Sequence, residues 1–195
     1  VMMVPLALAV AGRSADQRGG ETDQRASQTL AQALKEAGGH RGFIYLTTGF
    51  FVCGFQVVFV AVHLPAYLMD LDLGLPAAAG AKALALIGIF NIAGTYVCGA
   101  LGGRYSKKWL LAALYILRAL VIAIFLVAPK SEVSVYIFAA ALGLLWLGTV
   151  PLTSGLVGQI FGVRYLSTLF GIVFFGHQLG SFLGVWLGGY VYDAT

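Results

Sequence analysis

Charge is scarce in this sequence. Only 10% of its 195 residues are Asp, Glu, Lys or Arg, against about 25% in soluble domains. Mean hydropathy is +0.88, so a water-soluble core is excluded. Carboxylates are scarcest where chemistry would need them: all lie in a polar linker or at the ends of apolar stretches. There is no Ser/His/Asp set, no HExxH string, no Walker loop and no Cys–His cluster. An enzyme, a metal site and a cofactor are therefore not expected. Cysteine is nearly absent. Cys53 and Cys98 fall in separate apolar stretches without ligand spacing and read as buried thiols filling space. No basic start with a cleavage site opens the chain, so no signal peptide is expected. The net charge of +4 does not imply a nucleic-acid partner, because the placement of the bases matters more than their sum.

What is abundant is apolar length. The sequence predicts an all-α membrane protein with five complete spans, at about 43–69, 81–103, 109–128, 133–158 and 166–191. Each is long enough to cross the ~30 Å hydrocarbon core of a bilayer. Residues 1–11 read as the end of a truncated membrane helix, residues 12–42 as a linker, and residues 43–195 as the bundle. The chain is thus expected to be a piece of a larger membrane protein. Within the linker, Leu30 and Leu34, and Ala33 and Ala37, recur four apart before a Gly38–Gly39 stop. That pattern predicts a short amphipathic helix at the membrane surface. Residues 71–76 read as a loop, and Pro65 and Pro151 as kinks.

The last span organises the rest. Gly176, Gly180, Gly184 and Gly188 recur every fourth residue and form one bare stripe on a helix. Such a stripe allows close backbone approach by a neighbouring helix. His177, Gln178 and Ser181 lie in the same span, at a depth where lipid cannot satisfy them. Gln56, Asn91, Thr95, Tyr96, Trp146 and Thr149 are polar or amphipathic groups in other spans. Together they predict a tight bundle with a polar interior. His177 is the sharpest candidate, because a histidine switches charge near neutral pH. Its competing reading is a neutral imidazole bonding a neighbouring helix. Gln56, Gln178 and Asn91 could bind solute or hold helices together, and Tyr96 and Trp146 could shape a pocket or simply pack. Arg118 is central to the third span, where an arginine costs at least ~2.5–3.5 kcal/mol.

Orientation follows from the bases. Arg13, Arg18, Arg25, Lys35, Arg41, Arg104, Lys107, Lys108 and Arg164 fall on one side, and only Lys82 and Lys130 on the other. The richer side is expected to be cytoplasmic, with the linker on it.

The turn Gly102-Gly103-Arg104-Tyr105-Ser106-Lys107-Lys108 is similar to the cytoplasmic loop motif of the major facilitator superfamily. Two strings, GFQVVFVAVHLPAYL at 54–68 and FGVRYLSTLFGIVFFGHQLGSFLG at 161–184, resemble its bacterial branch near the monocarboxylate porters and oxalate–formate antiporters. The resemblance covers residues 1–195, as the end of span six, the linker and spans seven to eleven. It implies the family's C-terminal half without its last helix, working by alternating access at the interface with an N-terminal half. It implies a small-molecule substrate of the kind that branch carries, a monocarboxylate or related organic anion, a lipid bilayer and the missing half as partners, and a bacterial inner membrane as location. His177, Gln178, Asn91, Gln56, Tyr96 and Trp146 would line the substrate path. Arg104, Lys107 and Lys108 would form a cytoplasmic gate. Arg118, on an outer helix of that layout, would be a structural intramembrane charge. Asn91 and Thr95 stand where the monocarboxylate branch carries an Asp and an Arg, so that ion pair is missing. The rival expectation is a structural or partner-binding membrane subunit without transport of its own.

Overall fold

The computed structural model describes residues 28–70 and 78–194, and among them every regular element is an α-helix. The expected tail at 1–11, the linker before Gln28 and the loop at 71–76 lie outside the described residues.

Helix α1 (Leu30–Gly39) starts at a reciprocal cap. The Thr29 hydroxyl accepts from the Gln32 amide at 3.4 Å, and the Gln32 side chain accepts from the Thr29 amide at 2.9 Å. Ala33 and Ala37 turn inward, and Ala37 joins a core with Phe43 and Phe161. The Tyr165 hydroxyl donates to the Gln28 carbonyl at 2.8 Å. This helix is thereby docked on the bundle, while Leu30 and Leu34 stay outward.

The bundle comprises α2 (Arg41–Asp70), α3 (Ala79–Arg104), α4 (Lys107–Val127), α5 (Glu132–Leu144), α6 (Thr149–Phe161) and α7 (Leu166–Ala194). By length and composition they make five membrane spans, the fourth being α5 and α6 together. Short connectors have local causes. The Lys130 ammonium donates to the carbonyls of Leu126 and Ala128 at 3.0 and 2.9 Å, closing the end of α4 where the helix dipole favours a cation. Ser131 and Ser134 then cap each other at the start of α5. Gly162 takes φ 78° between α6 and α7, a backbone region costly for other residues.

The fourth span corrects one expectation. A single helix bent at Pro151 was predicted, but the helix stops at Leu144 and restarts at Thr149. Pro151 sits in the first turn of α6, where its missing N–H has no intrahelical partner to lose. It therefore starts a helix rather than kinking one. Pro65, in contrast, lies inside a helix that runs on to Asp70.

Glycines set the packing. Along α7, a Cβ at Gly176 would fall 3.2 Å from Thr47 Cγ2, at Gly180 onto the Phe51 carbonyl, at Gly184 onto the Phe55 carbonyl, and at Gly188 onto His63 and Phe59. Each step of four on α7 meets a step of four on α2, so the two helices run parallel in constant register. From the other side, a Cβ at Gly54 would strike the His177 carbonyl. A second pair forms likewise. Gly94 of α3 lies against the Leu144 carbonyl, and a Cβ at Gly143 of α5 would come 2.7 Å from the Ile87 carbonyl. Helix α4 flanks this second pair: Phe125 stacks on Phe138 of α5 with ring centroids 4.0 Å apart.

Candidate functional site

An interrupted helix frees backbone groups that must find partners, because lipid offers none. At Leu145–Gly148 two side chains from neighbouring spans provide them. Arg118 of α4 donates through Nη2 to the Leu145 carbonyl and, at 2.7 Å, to the Trp146 carbonyl. Asn91 of α3 accepts the Leu147 amide on Oδ1 at 3.0 Å, and Thr95 donates to the same oxygen at 3.2 Å. Short-range bonds complete the break: the Leu145 amide donates to the Leu142 carbonyl at 3.1 Å, the Trp146 amide to the Gly143 carbonyl at 3.0 Å, and the Val150 amide to the Leu147 carbonyl at 3.0 Å.

The same guanidinium reaches a third span. Its Nη1 donates to Cys53 Sγ of α2 at 3.1 Å, and Thr149 Oγ1 of α6 lies 3.6 Å from that sulfur. The Tyr115 ring, one turn before Arg118, has its centroid 5.8 Å from the guanidinium carbon. His177 of α7 lies beside the same thiol and is wedged between Phe50 and Phe174, at centroid distances of 4.8 and 5.6 Å. Arg118, Cys53, Thr149, Thr153 and His177 are all buried. The outcome is a polar cluster built from α2, α3, α4, α6 and α7 around a helix break. Its cation rests on carbonyl dipoles and a sulfur rather than on a carboxylate. Among the described residues, buried Arg118 Nε, Thr153 Oγ1 and His177 Nε2 have no hydrogen-bond partner.

The sequence-predicted residues divide. His177, Asn91, Trp146 and Arg118 meet at or beside the break. Gln178 is exposed, its Oε1 3.3 Å from His177 Nδ1. Gln56 is half-buried and makes no hydrogen bond among the described residues. Tyr96 is 79% exposed. Arg104 and Lys108 are exposed at the α3–α4 turn, and the Lys107 stem lies across Gly155 of α6, whose Cβ would come 2.7 Å from Lys107 Cε. Apart from these, an apolar groove of about 520 Å³ runs between α2, α4, α5 and α7, lined among others by Phe59, His63, Tyr67, Phe125 and Phe138.

Sequence reasoning missed Cys53, Tyr115 and Thr153. Cys53 was read as filler, yet it accepts from Arg118. The one available signal was Arg118 itself: a central cation with no acid at its depth must find other acceptors, and a thiol and a broken helix are what this chain offers.

A model of the Major Facilitator Superfamily matches residues 1–195. A Bacillus subtilis (strain 168) protein described as "Uncharacterized MFS-type transporter YcxA" is 30% identical over 156 residues, covering 75% of this chain and 36% of that protein. An Escherichia coli (strain K12) protein described as "Uncharacterized MFS-type transporter YhjX" is 26% identical over 128 residues, covering 66% of this chain and 31% of that protein. The chain thus spans about a third of the length of the curated relatives it matches.

Proposed function

The chain belongs to the major facilitator superfamily, and from that premise we propose that it is part of a secondary active transporter for a small organic anion of the monocarboxylate kind. It is a multi-pass membrane protein. Transport runs by alternating access across a bacterial inner membrane, with the base-rich ends and the linker in the cytoplasm. The missing N-terminal half supplies the other wall of the passage.

One observation carries this reading. Among the described residues, polar groups of five helices gather at the break in the fourth span, and they include a cation and a histidine but no carboxylate. Intramembrane polar groups are expensive and mark solute or ion paths. Their sign favours an anion. Among the described residues, His177 Nε2 has no hydrogen-bond partner, so it has bonding capacity to offer. Exposed Gln178 and Tyr96, with half-buried Gln56, would meet solute from the wall shared with the other half, and Trp146 would shape its floor. Arg104, Lys107 and Lys108 would close the cytoplasmic end.

Uptake by the full-length parent in proteoliposomes tests it. Labelled formate, lactate, pyruvate and oxalate are supplied with and without a pH gradient. Accumulation of at least one above empty liposomes is expected. His177→Ala and Asn91→Ala should lower that uptake per molecule of reconstituted protein. No uptake of any of the four would contradict the anion reading, and normal uptake in both variants would remove the two residues from the path.

A further inference from the structure

We propose that His40 is a proton-operated latch: its neutral ring holds helix α1 on the bundle, and a proton on that ring releases the helix. The proposal goes beyond the transport reading and does not depend on which solute is carried.

His40 is the whole connection between two helices. Helix α1 ends at Gly39 and α2 begins at Arg41, so a single residue at φ −87° and ψ 109° turns the chain. Its backbone and its ring are both engaged at that corner. The amide donates to the Ala37 carbonyl at 3.1 Å and closes α1. The carbonyl accepts from the Phe43 and Ile44 amides at 2.9 and 3.2 Å. Ring Nδ1 accepts from the Phe43 amide at 3.3 Å, as a side-chain cap does for the unpaired amides at a helix start.

The seat of the ring is specific. It lies over Gly42, where an added Cβ would come 2.9 Å from Cε1 and 3.1 Å from Nδ1. It meets Phe161, the last residue of α6, at 74° with centroids 5.4 Å apart. Phe43 meets the same ring at 89° and 5.5 Å. The imidazole thus ties the α1–α2 corner to the end of α6. The other holds on α1 among the described residues are slight. Two small residues, Ala33 and Ala37, are buried, and the Tyr165 hydroxyl bonds the Gln28 carbonyl ahead of the helix. Leu30 and Leu34 stay exposed.

The bond at Nδ1 requires that atom to carry a lone pair. In the imidazolium both ring nitrogens are donors, so two N–H groups would face each other. The ring must then leave its seat, and it loses Phe161 with the bond. Helix dipoles do not decide the matter, since His40 stands between the C-terminus of α1 and the N-terminus of α2, whose fields oppose. The charged groups of the elements packed here are Lys35 and Glu36 on α1, Arg41 on α2 and Arg164 before α7, with the Tyr165 phenol; α6 brings none. The single carboxylate among them, Glu36, already accepts from Gln28 Nε2 at 2.7 Å. Among the described residues no other acid is placed to keep an imidazolium in the seat. His40 is exposed, so protons reach it from water, and histidine is the side chain that changes charge near neutral pH. The docked helix needs the neutral ring, whereas the released helix accepts either form. Docking therefore weakens as pH falls.

The experiment uses the full-length protein in lipid nanodiscs. Spin labels are carried on genetically encoded non-cysteine residues at Ala31 of α1 and Gln159 of α6, both exposed. Distances are measured at about pH 8 and about pH 5.5, on either side of the usual histidine range. One short distance should dominate at the alkaline value. At the acid value a longer distance should gain, and the ratio of released to docked helix should rise about tenfold, as for the loss of one hydrogen bond. His40→Asn keeps an acceptor for the Phe43 amide but does not titrate, so its ratio should be the same at both values. His40→Ala removes the acceptor and should show the longer distance already at the alkaline value. An unchanged distribution between the two values in the wild-type protein overturns the proposal. So does a pH response that survives in His40→Asn, since another group would then be the sensor. A His40→Ala protein docked as fully as the wild type at the alkaline value overturns it as well.

Discussion

Arg118 is the costliest side chain in the apolar layer, and the bonds it makes explain how the chain tolerates it. A guanidinium presents five donors in a rigid fork. Here the fork engages two carbonyls and a thiol. The sequence displays the cation but not its partners. The carbonyls of Leu145 and Trp146 become acceptors only because the helix breaks there, and local pattern does not reveal which spans adjoin. Asn91 and Gln56 looked alike in the sequence, as amides at mid-span. In the fold they differ, since Asn91 accepts a main-chain amide and Gln56 bonds nothing among the described residues. Asn91→Ala should therefore destabilise the full-length protein by about 1 kcal/mol, the cost of a lost bond to a half-buried main-chain donor. Gln56→Ala should stay within about 0.5 kcal/mol. Reversible unfolding in mixed micelles measures both. Equal losses would show that the Asn91 bond carries no weight.

At the level of elements, hydropathy alone made the spans legible, because few residues other than apolar ones are tolerated over 20 positions of a bilayer. Among the described residues, five helices are long and apolar enough to cross a membrane, as many as hydropathy predicts. Glycine spacing also made the α7 stripe legible, since a period of four is a local property of a helix. What faces the stripe was not legible. The break was misplaced by several residues because proline was weighed by its missing donor alone, whereas at the third position of a helix that donor is not needed. The glycines give a sharp comparison within α7. A Cβ at Gly180 would collide with the Phe51 carbonyl, and a Cβ at Gly171 meets nothing within 4 Å. Gly171→Ala should be neutral or stabilising by up to about 1 kcal/mol, from helix propensity. Gly180→Ala should cost about 2 kcal/mol or more, and Gly180→Leu should abolish assembly. Monodisperse elution after detergent extraction, followed by thermal unfolding, separates them. A folded Gly180→Leu protein would refute the close-packed pair.

For the molecule as a whole, five crossings resolve into two glycine-packed pairs, α2–α7 and α3–α5. Helix α4 lies against the second, and α6 bridges the two. The sequence indicated a polar interior but not this division, which depends on contacts between spans far apart in the chain, such as Gly180 with Phe51 and Gly94 with Leu144. Family membership accounts for the span count, and the break accounts for where the polar groups gather. The claim on which the site depends is that the Arg118–Cys53 bond ties the two pairs together. A double-mutant cycle tests it most directly, with Cys53→Val, Arg118→Met and the double variant of the full-length protein compared by reversible unfolding. A coupling energy of about 1 kcal/mol or more is expected, as for residues sharing one buried network. Losses that add to within about 0.5 kcal/mol would mean that the two residues act independently, and that no such tie exists.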